Sequence, residues 1–121
     1  MAHTILAVDD SKSIRDMIKL TLAPLGYRVI EGDNGQSGLD KFMTEPVSLV
    51  ITDLNMPVMN GFEFIRALRR IPKGAGVPII MLTTESKPEA KAEGKAAGAT
   101  GWITKPFTPE NLISVAKRLA G

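Results

Sequence analysis

LVITDLNMPVMNG, residues 49–61, is the stretch from which the fold can be read. It opens with four apolar or β-prone residues, a run of strand length, and the run ends on the carboxylate of Asp53. Pro57 and Gly61 then mark a turn. A continuous run of this kind is typical of a strand that is buried on both faces. The charge of Asp53 therefore stands at the end of a buried strand, where its neighbours decide what it does.

The same kind of run returns along the chain and alternates with helical patterns. The predicted strands cover residues 4–8, 27–31, 48–52, 77–83 and 101–104. The predicted helices cover residues 13–25, 36–45, 62–71, 88–99 and 109–120. Strand–helix repeats with continuous apolar strands indicate the α/β class, with a parallel sheet that is covered by helices on both faces. The length of the chain, 1–121, suits a single domain.

The spacing of apolar residues predicts which helix faces turn inward. In the first three helices these residues are Ile14, Met17, Ile18, Leu22, Leu25, Leu39, Phe42, Met43, Phe62, Ile65, Leu68 and Ile71. Asn60, with Glu63 three residues later, predicts a capped start for the third helix, and Pro24 predicts that the first helix ends near residue 22. The fourth helix has only alanines as apolar residues and carries Gly94, which costs about 1 kcal/mol relative to alanine. We expect this helix to be among the least stable elements.

Composition narrows the class of protein. Apolar residues make up 44% and charged residues 23% of the 121 positions, and the formal net charge is +2, which does not indicate nucleic-acid binding. The basic run at residues 66–73 is interpreted as the solvated face of a helix. No cysteine is present, which excludes disulfides and thiolate metal sites. No apolar run approaches the roughly 20 residues that span a membrane, and the start does not fit a signal peptide. We expect a cytoplasmic monomer without membrane partners.

Polar residues follow four of the predicted strands. In chain order they are Asp9, Asp10, Asp53, Thr83, Thr84, Thr104 and Lys105. Because parallel strands point the same way, these residues meet at the carboxyl edge of the sheet, where ligands bind in open α/β folds. Carboxylates gathered there repel one another, by about 4 kcal/mol for a pair ~4 Å apart at an effective dielectric near 20. A divalent ion such as Mg²⁺ relieves this repulsion and can also bind phosphate oxygens.

The same edge suits phosphoryl chemistry. A carboxylate can accept a phosphoryl group and form an aspartyl phosphate. Phosphoryl transfer needs mainly positioning and stabilisation of the charge on the phosphoryl oxygens, which a metal ion, an ammonium and a hydroxyl provide. The residues at this edge offer all three kinds of group.

Taken in order, these motifs resemble those of response-regulator receiver domains, and in particular the stand-alone chemotaxis regulators of the CheY type. The residues that carry the resemblance are Asp9-Asp10 after TILAV, Asp53 in ITDLNMPVMNG, Thr83 in IIMLTTES, and Lys105-Pro106-Phe107. The resemblance covers residues 4–119. It implies a (βα)5 flavodoxin-like, doubly wound sheet with the strand order 2-1-3-4-5 that is known for this family.

The resemblance also implies roles for individual residues. Asp53 would be the phosphoacceptor. The implied Mg²⁺ ligands are Asp10, Asp53, the backbone carbonyl of Asn55 and, through a water, Asp9. Lys105 would pair with the phosphoryl group, while the hydroxyl of Thr83 would hydrogen-bond to it and move inward on activation. The Lys105–Pro106 bond resembles the family's cis peptide.

Further positions would tune the response. Asn55 and Glu85 would influence dephosphorylation. Trp102 stands where the family has its switch aromatic, but it replaces the commoner Tyr, and the larger ring would rotate less freely into the space that Thr83 vacates. Thr84 is bulkier than the Ala or Gly usual beside the phosphate entrance, which would shift kinetics more than function.

The resemblance implies a signalling switch rather than an enzyme, one that mediates its own phosphorylation and autodephosphorylation. A histidine kinase would be the phosphodonor. Phosphorylation would switch the face formed by the fourth helix, fifth strand and fifth helix, and the expected target is the flagellar motor switch. A phosphate sink for a shared kinase, or a regulator of another signalling protein, is the alternative output.

Other readings of the motifs are also open to test. A Mg²⁺-dependent aspartyl-phosphate phosphohydrolase would carry a second Asp as general acid two residues after the first, and Asn55 cannot do that work. A flavin carrier would need a hydroxyl-rich loop after the first strand, where DDSKS begins with two anions. Asp9 and Asp10 alone could cap the first helix. The stretch EGDNGQSG is interpreted as the turn into the second helix, because it fits no phosphate-loop pattern.

Overall fold

The computed structural model describes residues 3–121. The strands are β1 Thr4–Val8, β2 Arg28–Gly32, β3 Leu49–Thr52, β4 Ile79–Thr83 and β5 Gly101–Thr104. The helices are α1 Lys12–Leu22, α2 Gly35–Thr44, α3 Gly61–Arg70, α4 Pro88–Ala97 and α5 Pro109–Leu119. All strand pairings are parallel and the order is β2-β1-β3-β4-β5. The predicted α/β class and strand order are confirmed.

The sheet is packed on both faces, and alternate residues of each central strand enter opposite cores. Ile5 and Ala7 pack with α1 and α5, whereas Leu6 and Val8 pack with α2, α3 and α4. Every residue of β1, β3 and β4 is buried. This double burial explains why these strands read as continuous apolar runs, since neither side of the strand meets water.

The predicted inward faces are partly wrong. Ile18, Leu22, Phe42, Ile65 and Leu68 are buried as predicted. The exposed members of the predicted set are Met17 at 47%, Leu25 at 44% and Met43 at 54% exposure. The remaining members are half-buried, and Phe64, which was not predicted, is fully buried.

The geometry of α1 explains one of these errors. The helix ends at Leu22, and the chain continues as a 3-10 turn at Ala23–Leu25 that contains Pro24. Because a 3-10 turn has three residues per turn rather than 3.6, Leu25 is rotated away from the buried stripe. Gly26 then closes the turn with φ of 96°, a left-handed value that favours glycine.

The start of α3 follows its sequence signal. The side chain of Asn60 accepts a hydrogen bond from the amide of Glu63, and the side chain of Glu63 accepts one from the amide of Asn60, both at 2.9 Å. This reciprocal capping box satisfies two amides that the first turn of a helix leaves unpaired.

The basic run at the end of α3 is not simply a solvated face. The guanidinium of Arg69 donates to the carbonyls of Gly98 at 2.8 and 3.0 Å, Gly74 at 2.8 Å and Val77 at 2.6 Å. Lys73 donates to two backbone carbonyls at the end of α2, at 2.5 and 2.6 Å. The interpretation was therefore wrong for Arg69, which is half-buried and joins α3 to neighbouring loops. Lys73 is exposed, but it lies beyond the end of α3 and joins its turn to the end of α2.

Candidate functional site

Hydrogen bonds that continue the sheet beyond its strands place two acidic residues side by side. The amide of Asp53 donates to the carbonyl of Val8 at 2.8 Å, and the amide of Asp9 donates to the carbonyl of Gly32 at 3.1 Å. Val8 and Thr52, the last residues of β1 and β3, are register partners. The residues that follow them, Asp9 and Asp53, are therefore neighbours at the carboxyl edge of the sheet.

Asp9, Asp10 and Asp53 form an acidic cluster, in which carboxylate oxygens of all three residues lie within 4.8 Å of one another. Asp9 is 2% and Asp53 7% exposed, whereas Asp10 is exposed. One oxygen of each buried carboxylate has a backbone donor. Oδ1 of Asp9 accepts from the amide of Ser11 at 2.9 Å, and Oδ1 of Asp53 accepts from the amide of Leu54 at 2.8 Å. These bonds fix the orientation of both carboxylates.

Lys105 brings a positive charge to the other oxygens. Its Nζ donates to Oδ2 of Asp9 at 2.9 Å and lies 3.6 Å from Oδ2 of Asp53, and its side chain is 14% exposed. The amide of Lys105 donates to the carbonyl of Thr83 at 2.8 Å, which extends the ladder between β4 and β5. The peptide bond from Lys105 to Pro106 is cis. The close contact with Asp9 was not anticipated from the sequence.

The cluster carries more negative charge than Lys105 balances. Three carboxylates against one ammonium leave an excess of two negative charges when all are ionised. Burial raises the pKa of Asp9 above its ordinary value of 3.8, and the charge of Asp53 acts in the same direction. The hydrogen bonds from Lys105 and from the amide of Ser11 lower this pKa, but they only partly offset burial.

This donor set fits a hard divalent cation. Mg²⁺ binds in proteins through one or two carboxylates and keeps several waters. The clustered donors are carboxylate oxygens from buried and exposed residues, so one side of the cluster is open to solvent. A divalent charge would balance the excess of two negative charges. Asn55, whose carbonyl is a further implied ligand, is exposed two residues beyond Asp53.

Thr83, the last residue of β4, and Thr84, which follows it, lie in different surroundings. Thr83 is fully buried, and its hydroxyl oxygen accepts a hydrogen bond from the amide of Glu85 at 3.4 Å. Its register partner in β5 is Thr104, the residue before Lys105, so Thr83 reaches the same edge. Thr84 is exposed and lines an apolar groove together with Lys105.

Trp102 is joined to the loop between β4 and α4. Its indole N–H donates to the carbonyl of Glu85 at 2.9 Å, and its ring lies against Gly94 of α4. The side chain of Glu85 accepts a hydrogen bond from the amide of Lys87 at 3.3 Å. Glu85 thus uses its backbone to hold Trp102, a role that its sequence position did not indicate.

Two alternative interpretations of the sequence can now be decided. Asp9 and Asp10 do not cap α1, since the hydroxyl of Ser11 accepts from the amide of Ile14 at 3.4 Å. A serine just before a helical pattern is the signal that could have identified this cap. EGDNGQSG leads into α2, as interpreted from the sequence, but the turn itself is only Asp33 and Asn34: the two residues before them end β2, and α2 begins at Gly35.

Comparison with known proteins identifies the family. The family model described as the response regulator receiver domain matches residues 5–117. The chain belongs to the response regulator receiver domain family. Receiver domains are the signalling switches of two-component systems, and the fold and acidic cluster described above are those of a CheY-like receiver domain.

Two relatives contain a matching domain in proteins of different length. A chemotaxis protein CheY homologue from Campylobacter jejuni is 42% identical over 110 residues, which are 89% of this chain and 85% of that protein. The phosphate regulon transcriptional regulatory protein PhoB from Pseudomonas aeruginosa is 37% identical over 114 residues, 94% of this chain. The receiver domain spans 50% of the length of that regulator.

Solved structures agree with the CheY-like assignment. The chemotaxis protein CheY4 of Vibrio cholerae is 48% identical to this receiver domain, with a TM-score of 0.94 over 98% of this chain and 99% of that one. The receiver domain of a sensor histidine kinase from Pseudomonas aeruginosa is 27% identical, with a TM-score of 0.91 over 100% of this chain and 99% of that one. That structure is described with a magnesium ion coordinated in its active-site cleft. Across the described residues of the present chain, no helix has the length and apolarity that crossing a membrane requires.

Proposed function

We propose that this receiver domain is a phosphorylation-activated switch, in which Asp53 accepts a phosphoryl group from a histidine kinase with Mg²⁺ as cofactor. The observation that carries the proposal is the position of Asp53. It is a buried carboxylate at the end of β3, 3.6 Å from the ammonium of Lys105 and within the acidic cluster. A carboxylate is a competent nucleophile toward phosphoryl groups, and a fixed ammonium favours the charge that develops on them.

In the proposed transfer, a carboxylate oxygen of Asp53 attacks the phosphorus of a phosphohistidine. The phosphorus–nitrogen bond breaks, and its electron pair leaves with the imidazole. The amide of Leu54 keeps the Asp53 carboxylate oriented through its 2.8 Å bond to Oδ1. The ammonium of Lys105 moves from Asp9 toward the new phosphoryl oxygens. The hydroxyl of Thr83, which in the present structure accepts a long 3.4 Å bond from the amide of Glu85, donates a hydrogen bond to one of these oxygens and keeps its proton.

The proposed Mg²⁺ ligands are Asp10, Asp53 and the backbone carbonyl of Asn55, with Asp9 acting through a water. When bound, the ion would offset the excess carboxylate charge and coordinate phosphoryl oxygens. The proposal is supported by the three carboxylates within 4.8 Å of one another and by the burial that raises the pKa of Asp9. The magnesium ion in the related receiver domain is further support.

The proposed output is a changed face formed by α4, β5 and α5, with the flagellar motor switch as the target. Likeness to the chemotaxis proteins of Campylobacter jejuni and Vibrio cholerae supports this choice. The proposal places the chain in the cytoplasm, where a histidine kinase donates its phosphoryl group. Asn55, two residues after Asp53, offers no general acid, and with Glu85 it would set how long the phosphorylated state lasts.

The test is Mg²⁺-dependent labelling with a small-molecule phosphodonor such as acetyl phosphate, read by intact-protein mass. Wild-type protein should gain one phosphoryl group that hydroxylamine removes, as expected for an acyl phosphate. Asp53→Asn should gain none, whereas the control Asp40→Asn, which changes an exposed aspartate on α2, should label normally. Equal labelling of wild type and Asp53→Asn would refute the site assignment.

A further inference from the structure

Helix α4 holds the sheet through very small residues. Its buried members are Gly94 and Ala97. A Cβ atom added to Gly94 would lie 2.7 Å from Cζ3 and 3.2 Å from Cε3 of Trp102. Because the first distance is shorter than carbon atoms tolerate, the six-membered ring of Trp102 occupies the space that any side chain at this position would need.

The other side of the same indole is held by a hydrogen bond. The ring N–H donates to the carbonyl of Glu85 at 2.9 Å. This hydrogen bond forms only when the indole ring and the loop that carries Glu85 both hold their positions. Glu85 also donates its amide to the hydroxyl of Thr83 at 3.4 Å. The contacts therefore run from Gly94 through Trp102 and Glu85 to Thr83, at the carboxyl edge of the sheet.

We propose that Gly94 is a positioning residue: by leaving room for the Trp102 ring against α4, it keeps the indole N–H at the Glu85 carbonyl and so connects β5 to the loop after Thr83. Trp102 also lines a surface cleft together with Lys91 and Lys95 of α4. Displacing the ring changes the wall of this cleft as well as the loop. The signalling meaning of this connection rests on the proposed function, whereas the connection itself exists in the unphosphorylated chain.

Tryptophan fluorescence tests the position of the ring directly, because Trp102 is the one tryptophan of the sequence. Gly94→Ala should shift its emission to longer wavelength and increase quenching by acrylamide, since the ring is pushed out from α4. The control Ala92→Gly changes helix propensity at an exposed position of the same helix and should leave the emission unchanged. Unchanged emission of Gly94→Ala would overturn the proposal.

A double-variant comparison separates the ring contact from helix propensity. Alanine forms helices better than glycine, so without the contact Gly94→Ala should raise the thermal midpoint. We expect it to lower the midpoint when Trp102 is present and to raise it in a Trp102→Phe background, whose ring is shorter. A shift of the same sign in both backgrounds contradicts the proposal. If Gly94→Ala does not fold, folding of the double variant supports the proposal, and failure of both variants overturns it.

The outcomes are distinct from those that test phosphorylation. The proposed function is contradicted if labelling does not depend on Asp53. The present inference is contradicted if the emission of Gly94→Ala is unchanged, whether or not the protein is labelled. Where both hold, labelling should change the emission of wild-type Trp102 more than that of Gly94→Ala, since the variant ring is already displaced.

Discussion

Replacing Lys105 with methionine tests whether its ammonium holds the acidic cluster together. Nζ lies 2.9 Å from Asp9 and 3.6 Å from Asp53, and both carboxylates are buried. Removing one partner of a buried ion pair leaves an uncompensated charge, which costs about 3–5 kcal/mol. Methionine keeps an unbranched, apolar side chain, so lost packing adds little to this cost.

Proton uptake by Asp9 limits the loss. Neutralising a carboxyl group with the ordinary pKa of 3.8 costs about 4.4 kcal/mol at pH 7 and about 1.6 kcal/mol at pH 5, at 1.36 kcal/mol per pH unit. Because burial raises the pKa of Asp9, the folded protein binds this proton more tightly than the unfolded chain, and the penalty of the charged form disappears as the pH falls through the folded-state pKa. We expect Lys105→Met to lower the free energy of unfolding by about 3 kcal/mol at pH 7 and by at most about 1.5 kcal/mol at pH 5.

Urea denaturation in EDTA at pH 7 and pH 5 measures both values. Lys41→Met, which removes an exposed lysine from α2, is the matched control and should change stability little at either pH. Adding Mg²⁺ should narrow the difference between Lys105→Met and wild type. The carboxylates of the variant no longer have an ammonium beside them, so they should bind the cation more tightly, and tighter binding to the folded state stabilises the variant more than wild type. An equal loss at both pH values, or no loss at pH 7, would show that Lys105 does not neutralise the cluster.

Two further predictions concern backbone strain and the anchoring of α4. Val58 is 80% exposed with φ of 70°, and a left-handed conformation costs a residue with a Cβ atom about 1–2 kcal/mol. Val58→Gly should therefore raise the free energy of unfolding, measured by urea denaturation, by about 0.5–1 kcal/mol. Val58→Ala keeps the strained Cβ and should raise it less. Equal gains would contradict the strain argument. Arg69→Met removes four guanidinium hydrogen bonds of 3.0 Å or shorter to backbone carbonyls, so it should lower the free energy of unfolding by about 3 kcal/mol. Amide hydrogen exchange in the last turn of α4 should also become faster. The control Arg66→Met removes one exposed ion pair and should cost under about 1 kcal/mol, so similar losses in the two variants would refute the anchoring role.

The fold could be predicted from the sequence because burial on both faces leaves a direct trace in it. The continuous apolar runs identified the strands, since β1, β3 and β4 are buried throughout. The order of the strands leaves no such trace, and it was available only through the likeness to a family. The prediction of which helix residues are buried was wrong at Leu25, where the helix geometry changes. It was also wrong at Met17 and Met43, where the buried stripe is narrower than the spacing of apolar residues suggested.

The site was predictable as far as it depends on strand ends. Asp9, Asp53 and Lys105 each follow a parallel strand, so one rule about the carboxyl edge gathers them without knowledge of side-chain geometry. The bond between Lys105 and Asp9 joins residues 96 positions apart and depends on side-chain reach, which spacing does not encode. Gly94 likewise could not be explained from the sequence, where it indicates only a weak helix. The structure explains the glycine, because the ring of Trp102 occupies the space that a side chain would need.

The contacts of Lys105 also bear on how metal binding and phosphorylation would depend on each other. Lys105 holds Asp9 at 2.9 Å, yet the proposed transfer requires the same ammonium at the phosphoryl group on Asp53. When Lys105 leaves, Asp9 remains buried, and burial already disfavours its charged form. If the proposed site binds Mg²⁺, a cation at the cluster would lower the cost of moving Lys105, and a phosphoryl group that draws Lys105 away would raise the affinity of the cluster for a cation. Because such coupling is reciprocal, Mg²⁺ should bind more tightly to the phosphorylated than to the unphosphorylated receiver domain by the same factor by which it favours phosphorylation.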